Sequence, residues 1–274
     1  MKGSASTRLS RKLDRLRCRV RELGRAAIAF SGGIDSAFLA AVAAGELGDQ
    51  VLAVTAYTPL HPRREQREAA RLARRLGLRH ARVELDPLAL PGMARNPPDR
   101  CYRCKQALFR RLRALARREA IPWLLDGTQA DDRREVRPGR RAARECGVLS
   151  PLLEAGLTKA EIRRAARRMG LTSADQPALA CLATRFPEGA RLTRRGLEAV
   201  DRLEEGLRGL GFVQVRARVH GSAVRLELAP RQIRRAARPD TARAIARLAH
   251  RAGFNSAAVD LEGYRCGSMN GRNA

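Results

Sequence analysis

The segment Ser31-Gly32-Gly33-Ile34-Asp35-Ser36 constrains the fold most, because it places two adjacent glycines among hydroxyl and acidic side chains. The apolar run before it, 25–30, predicts a short strand, and the run after it, 37–47, predicts a helix. A turn at such a junction brings backbone N–H groups to the positive end of a helix, which favours anion binding. Glycines let the backbone approach a phosphate closely. The alternative interpretation is a tight turn without a ligand.

Strands and helices are predicted to alternate through the first two thirds of the chain. Further strands are predicted at 51–57, 80–85 and 121–125, with helices at 8–23, 62–76, 101–118 and 158–169. This order is typical of a parallel sheet built from βαβ units. Residues 129–157 are predicted to form a long loop region, and such loops are usually functional.

The pattern changes after Pro187. Helices are predicted at 192–210 and 238–252, and strands at 212–220, 223–228 and 257–261. We therefore predict two domains, an α/β domain over residues 1–185 and a smaller α+β domain over residues 186–274.

The net charge of +27 comes almost entirely from arginine, since only four of the 55 basic residues are lysines. The arginines recur at helical spacing among alanine and leucine, which is typical of solvated helix faces. Aromatic side chains are not interleaved with them, so nucleic acid is the less favoured partner. Small anionic ligands are favoured by this charge.

Targeting signals and cysteine usage bear on the location of the protein. No apolar run reaches the length of a membrane span, and the basic N-terminal segment lacks the apolar stretch of a secretion signal. We therefore expect a cytoplasmic protein without a membrane partner. Six cysteines in such a chain indicate metal binding, catalysis or burial rather than disulfides.

The loop at 31–36 resembles the PP-loop of the ATP pyrophosphatases, and it lacks the Walker A spacing and the G-x-G-x-x-G fingerprint. Three further stretches narrow the resemblance: NPPDRCYRCKQALF (96–109), residues 124–152 with their D-G and R-P-G, and PALACLATRFPEGARLT (177–193). With DLEGYRCGSMN near residue 265, they resemble the LarE family of ATP-dependent sulfur transferases. That family makes the nickel-pincer nucleotide cofactor of lactate racemase.

The resemblance implies an adenine nucleotide alpha-hydrolase-like (PP-loop) domain that uses ATP and Mg²⁺. A carboxylate of pyridinium-3,5-biscarboxylic acid mononucleotide would be adenylated, and sulfur would then replace oxygen. The residues implied at ATP are Ser31, Gly32, Gly33, Asp35, Ser36, Thr55, Asp126 and Gly127, with Ser31 and Asp35 also catalytic. Asp126, Asp131 and Asp132 either position Mg²⁺–ATP or cap loops.

The resemblance also implies that Cys101, Cys104 and Cys181 hold a 4Fe–4S cluster and that Cys181 is catalytic. Three thiolates are one fewer than a closed zinc site or an ordinary cluster requires, which leaves one iron open for sulfide. Two alternatives remain open. In the first, Cys101 and Cys104 are either buried thiols or half of a zinc site with Cys146 or Cys266. In the second, Cys181 gives up its own sulfur to the substrate.

Substrate contacts are implied at a set of charged residues in the C-terminal third. These residues are Arg185, Arg216, Arg218, Arg265, Glu204 and Glu227. Arginine pairs with both phosphate and carboxylate through two hydrogen bonds. The basic segment APRQIRRAARPD departs from the family, which tends to carry an acidic residue there, so a ligand from that segment is not expected.

Rival functions share the loop but differ in the second substrate. A PP-loop tRNA thiolase would use the basic surface, and an ammonia-using amide ligase would need none of the three cysteines. An ATP-binding scaffold would bind nucleotide without releasing pyrophosphate. The resemblance favours the sulfur transferase, assembled as a homo-oligomer and acting with other proteins of cofactor synthesis.

Overall fold

The computed structural model describes residues 2–134, 138–171 and 180–265 of the chain. They form two compact units, the first within Met1–Thr58, Glu65–Leu85 and Cys101–Leu179, and the second within Pro59–Arg64, Asp86–Arg100 and Ala180–Ala274. Two short segments that precede residue 185 thus join the C-terminal residues. The domain boundary at 185/186 stays a prediction.

The first unit contains a four-stranded parallel sheet, which confirms the predicted α/β class. Its elements are α1 (Lys2–Leu23), β1 (Ala26–Ala29), α2 (Ile34–Leu47), β2 (Val51–Tyr57), α3 (Arg63–Arg75), β3 (Arg79–Glu84), α4 (Arg100–Arg118), β4 (Trp123–Leu125), α5 (Pro138–Glu145), α6 (Pro151–Glu154) and α7 (Lys159–Arg168). The strand order is β3-β2-β1-β4, and every neighbouring pair is parallel. Both faces of such a sheet must be covered by helices.

Alternate residues of β1 enter two separate apolar cores. Ala26 and Ile28 pack with residues of α1, α2 and α7, whereas Ala27 packs with residues of α4 and α5. Because successive side chains of a strand point to opposite faces, the sheet lies between two helical layers.

Residues 129–157 are not one long loop, so that expectation was wrong. They contain α5 and α6, and Ala142 and Ala143 of α5 are buried in the core beside α4. A pair of alanines on a short arginine-rich helix carries too little apolar area to be recognised as a buried face from the pattern alone.

The second unit contains a three-stranded mixed sheet with its own helices. Its elements are α8 (Arg194–Gly209), β5 (Val215–His220), β6 (Ala223–Leu228), α9 (Ile233–Ala236), α10 (Pro239–Ala252) and β7 (Ser256–Val259). β5 and β6 are antiparallel, and β6 and β7 are parallel. No helix among the residues described above has the length and apolar composition to cross a membrane.

Candidate functional site

The loop Ser31–Gly33 lies where ligands bind in open parallel sheets. It follows β1, whose neighbours are β2 on one side and β4 on the other. The chain that leaves β1 crosses to β2, whereas the chain that leaves β4 returns on the opposite side, where Leu149 forms a parallel bridge with Leu125. The crevice at such a switch point, beyond the carboxyl ends of the strands, is the usual binding position. Asp126 and Gly127 directly follow β4, so they reach the same edge.

Ser36 holds the loop together with its hydroxyl group. Its Oγ donates to the carbonyl of Gly33 (3.0 Å) and accepts from the N–H of Ser31 (3.2 Å). Since a hydroxyl has one hydrogen, the 3.1 Å contact between the two serine hydroxyls requires Ser31 to donate. Ser31 Oγ in turn accepts the N–H of Gly33 at 3.3 Å. The two predicted serines therefore stabilise the conformation of the loop through hydrogen bonds within it.

Gly32 and Gly127 must be glycines because other backbone atoms of the first unit approach them closely. Gly32 has a φ of +76°, and a Cβ atom on it would lie 2.9 Å from Cα of Ala69. A Cβ atom on Gly127 would lie 2.9 Å from the backbone nitrogen of Ser36. Both distances are too short for a real Cβ atom. The packing of α3 against Gly32, and of Gly127 against the start of α2, therefore requires residues without a side chain.

Asp35 is paired with a residue that the motifs did not single out. Its Oδ2 lies 2.6 Å from Nζ of Lys159, the first residue of α7, while its buried Oδ1 has no hydrogen-bond partner. Burial raises the pKa of Asp35, and Lys159 opposes that shift without cancelling it. The signal available in the sequence was composition, because Lys159 is one of four lysines among 55 basic residues.

Thr55 supports the start of the loop through its side chain. Its hydroxyl donates to the carbonyl of Phe30 (2.8 Å) and lies 2.9 Å from Nε2 of His80. Because the single hydroxyl hydrogen is used on Phe30, Nε2 of His80 must carry the hydrogen of the second bond. Burial lowers the pKa of His80. The predicted contact of Thr55 with adenine stays a prediction, and sequence reasoning missed His80.

The three aspartates after β4 bind protein groups around them. Asp126 accepts from Thr128 and Ser150, with both hydroxyl contacts at 2.7 Å. Asp131 accepts the backbone N–H of Lys159 (2.8 Å), and Asp132 accepts that of Gln129 (3.0 Å). These contacts match the loop-capping alternative, whereas a role at Mg²⁺–ATP stays a prediction.

The cysteines are distributed over both units. Cys101 and Cys104 lie one turn apart at the start of α4 in the first unit, and Cys181 belongs to the second. Within the described residues, no three side chains of His, Cys, Asp or Glu are close enough together to hold one metal ion. Cys18 is exposed, Cys146 is half-buried, and Cys266 lies outside the described residues.

Most of the charged residues predicted to bind substrate are assembled in the second unit. Arg185 donates from Nε and Nη2 to the two carboxylate oxygens of Glu204, at 2.8 and 3.0 Å. Arg218 donates to Glu227 at 2.8 Å. Arg216 donates to the carbonyl of Val215 and has its guanidinium 5.4 Å from the ring centre of Tyr264. These five charged side chains are buried.

The positive charge around Glu204 exceeds its single negative charge. Burial alone opposes ionisation of Glu204, but Arg185 and Arg208 outweigh it and hold its pKa below the usual range. Burial and the charge of Arg185 lower the pKa of Arg216. Arg265 differs from the others, because it is exposed and ion-paired with Glu262.

Comparison with known proteins agrees with this geometry. The sequence model of the asparagine synthase family matches residues 13–132, which include the loop after β1 and the strand β4. The first unit is therefore a nucleotide-binding domain of the PP-loop class, as predicted.

Relatives of nearly equal length define the family. The chain is 35% identical over 263 residues to the pyridinium-3,5-bisthiocarboxylic acid mononucleotide synthase of Lactiplantibacillus plantarum, covering 96% of this chain and 95% of that protein. It is 39% identical over 262 residues to an uncharacterised protein of Synechocystis sp., covering 96% and 98%. An uncharacterised protein of Methanocaldococcus jannaschii is 30% identical over 191 residues, covering 69% and 72%. The chain belongs to the family of the pyridinium-3,5-bisthiocarboxylic acid mononucleotide synthases, the LarE family.

Proposed function

We propose that this protein is an ATP-dependent sulfurtransferase acting on pyridinium-3,5-biscarboxylic acid mononucleotide, in the synthesis of the nickel-pincer nucleotide cofactor. The observation that carries the proposal is the similarity to the named synthase over 96% of the chain. That length includes both the loop at Ser31–Ser36 and the buried arginines of the second unit.

Activation of the substrate would come first, because a carboxylate is a poor electrophile. A carboxylate oxygen attacks the α-phosphorus of ATP, the bond from that phosphorus to the bridging oxygen breaks, and pyrophosphate leaves. A sulfur nucleophile then attacks the carboxyl carbon of the adenylate, and AMP leaves with one carboxylate oxygen, giving the thiocarboxylate. The loop Ser31–Ser36 would bind the pyrophosphate portion.

Magnesium would neutralise phosphate charge in this step. The chemistry of the site fits the ion, since Mg²⁺ prefers carboxylate oxygens and Oδ1 of Asp35 is buried without a hydrogen-bond partner. Asp35 is the residue that would hold it. Ser31 and Ser36 would keep the loop in the conformation that receives phosphate.

Arg185, Arg216 and Arg218 would bind the phosphate and carboxylate groups of the substrate. The support is electrostatic, because several guanidinium groups surround the single carboxylate of Glu204. Arg185, Arg216 and Arg218 are also buried. Glu204 and Glu227 would orient Arg185 and Arg218 through the observed ion pairs. Arg265, which is exposed, would bind only a ligand that reaches the surface.

The source of sulfur is a separate part of the proposal. Cys101, Cys104 and Cys181 would hold a 4Fe–4S cluster whose open iron carries sulfide, and the pair of thiols one helix turn apart supports it. Within the described part of the chain, three such ligands are not assembled at one point. Iron content and the visible spectrum after anaerobic reconstitution test it, with Cys101→Ser as the matched variant. Loss of a sulfur atom from Cys181 after turnover would instead indicate a sacrificial cysteine.

The reaction is tested by mass spectrometry of the small molecules. Reconstituted protein is incubated with Mg–ATP, sulfide and the biscarboxylated mononucleotide, and we expect oxygen-for-sulfur replacement with release of pyrophosphate. More than one equivalent per chain would support recycling of the sulfur carrier. The double variant Ser31→Ala/Asp35→Ala should lose turnover. Unchanged substrate from protein that binds ATP and holds its cluster would overturn the substrate assignment and favour tRNA. The homo-oligomer is checked by light scattering.

A further inference from the structure

Lys159 forms an ion pair with the loop that binds phosphate in the proposed function, on which this inference rests. Its Nζ lies 2.6 Å from Oδ2 of Asp35, and the two side chains are 31% and 25% exposed. The pair is therefore partly shielded from water but still reachable by a ligand. Fully exposed ion pairs contribute little to stability, so the partial shielding makes this ion pair stronger than an exposed one.

The backbone of Lys159 is fixed by contacts that do not involve its side chain. The preceding residue, Thr158, forms a capping box with Glu161, and the N–H of Lys159 donates to Asp131 at 2.8 Å. The lysine side chain has a flexible stem of four carbons, so its ammonium group can move between partners within reach. The fold therefore fixes where the cation starts from.

Stability of α7 does not explain a lysine at this position. Lys159 is the first residue of the helix, where the helix dipole favours acidic rather than basic side chains. Arginine serves at 51 of the 55 basic positions, the remaining four being lysines. A compact ammonium with three donors differs from a planar guanidinium chiefly in how it binds phosphate and carboxylate oxygens.

The partner carboxylate is only half satisfied. Oδ1 of Asp35 is buried and has no hydrogen-bond partner, although a buried polar atom of this kind is normally paired. The ion pair with Lys159 thus leaves the second carboxylate oxygen of Asp35 without a hydrogen-bond donor.

We propose that Lys159 is a phosphate-binding residue that exchanges partners when ATP arrives. Without nucleotide its ammonium group pairs with Asp35. With nucleotide it binds an oxygen of the β- or γ-phosphate, and the released Asp35 carboxylate is available to Mg²⁺. Each charge keeps a counter-charge throughout, so the exchange leaves no buried ion unpaired.

Binding measurements separate the pyrophosphate end of ATP from the adenosine end. The probes are Mg²⁺ with α,β-methylene-ATP, which cannot be cleaved at the reactive bond, and AMP. Lys159→Ala should weaken binding of the triphosphate roughly 10- to 100-fold, since a charge-assisted hydrogen bond is lost, and leave the affinity for AMP unchanged. Lys159→Arg keeps the positive charge, so its affinity for the triphosphate should lie between those of the wild type and of Lys159→Ala.

Lys12→Ala is the matched control. Lys12 also pairs with a carboxylate on α7, Glu161, at 2.7 Å, but that carboxylate does not belong to the loop. This variant should bind both probes as the wild type does. Equal affinity of wild type and Lys159→Ala for the triphosphate would overturn the inference.

A spectroscopic test follows the wild-type protein and needs a variant only to assign one signal. The chain contains four lysines, so selective ¹³Cε-lysine labelling gives four side-chain signals, and Lys159→Arg identifies one of them. We expect the Lys159 signal to shift on addition of the triphosphate and not of AMP, with the Lys12 signal unchanged. A stationary Lys159 signal at saturating triphosphate would contradict the proposal.

The outcomes distinguish this inference from the function on which it rests. Absence of triphosphate binding by wild-type protein would overturn both. Triphosphate binding that is insensitive to Lys159 overturns the inference alone. Binding that depends on Lys159, together with no sulfur transfer to the mononucleotide, overturns the sulfur-transferase assignment and supports the inference.

Discussion

The carboxylate of Glu204 and the guanidinium of Arg185 form an ion pair through two hydrogen bonds, and each side chain is only 1% exposed. The same carboxylate accepts the backbone N–H of Ala217 at 3.0 Å. Glu204 thus connects α8, β5 and the turn that contains Arg185.

Replacing Glu204 should be strongly destabilising. Glu204→Gln leaves Arg185 buried without a counter-charge, and we expect a loss of about 3–5 kcal/mol in the free energy of unfolding. Urea unfolding followed by circular dichroism measures it. Glu198→Gln is the control on the same helix, because Glu198 pairs with Arg63 near the surface, and it should cost about 0–1 kcal/mol. Similar losses in both variants would contradict the structural role given to Glu204.

A methyl group at residue 127 should disturb the loop by clashing with the backbone at Ser36. In Gly127→Ala the new Cβ would lie 2.9 Å from the nitrogen of Ser36, so the start of α2 must shift. We expect the affinity for α,β-methylene-ATP to fall at least about 10-fold, since the loop donors lose their alignment. Isothermal titration calorimetry measures the change.

The control for that variant lies on the same helix. A Cβ atom on Gly45 of α2 meets nothing within 4 Å, so Gly45→Ala should raise stability by about 0.5–1 kcal/mol and leave nucleotide affinity intact. Unchanged nucleotide binding by Gly127→Ala would mean that the loop tolerates displacement.

The hydroxyl of Thr55 should matter more than its methyl group. Thr55→Val leaves the carbonyl of Phe30 and the Nε2–H of His80 without their shared partner, and we expect a loss of about 1–3 kcal/mol in stability. Thr55→Ser keeps the hydroxyl and should retain most of the stability. Thermal unfolding compares the two, and an equal loss in both would assign the effect to packing instead.

Acid should destabilise the first unit partly through His80. Because burial lowers the pKa of His80 in the folded protein, the unfolded chain takes up a proton at higher pH than the folded chain does. The stability contribution is therefore complete above about pH 6.5 and declines as the pH falls below it.

The measurement is the midpoint of urea unfolding at about pH 7.5 and about pH 5.5, on either side of that value. His80→Gln should reduce the loss between the two pH values, because glutamine does not titrate. His220→Gln, at an exposed position at the end of β5, should behave as the wild type. An identical pH dependence of wild type and His80→Gln would show that other groups cause the acid sensitivity.

Local patterns predicted the elements that are long or strongly apolar. The four strands of the parallel sheet and the helices around them followed from apolar runs and their spacing, because these signals are contained within a few neighbouring residues. Short elements were harder to predict. α5, whose buried face consists of two alanines, was taken for part of a loop, since so small an apolar stripe does not stand out from an arginine-rich background.

The sequence by itself determined the α/β class, the position of the loop at Ser31–Ser36 and the residues from which the family could be recognised. Each of these signals lies within a short stretch of neighbouring residues. Only the tertiary structure decided which partners those residues have. Lys159 is 124 residues from Asp35 along the chain, and His80 is 25 residues from Thr55. Such contacts depend on the order of strands in the sheet and on how closely helices pack against it. The same is true of Gly127, which must lack a side chain because the nitrogen of Ser36, in the first turn of α2, lies 2.9 Å from where its Cβ atom would be.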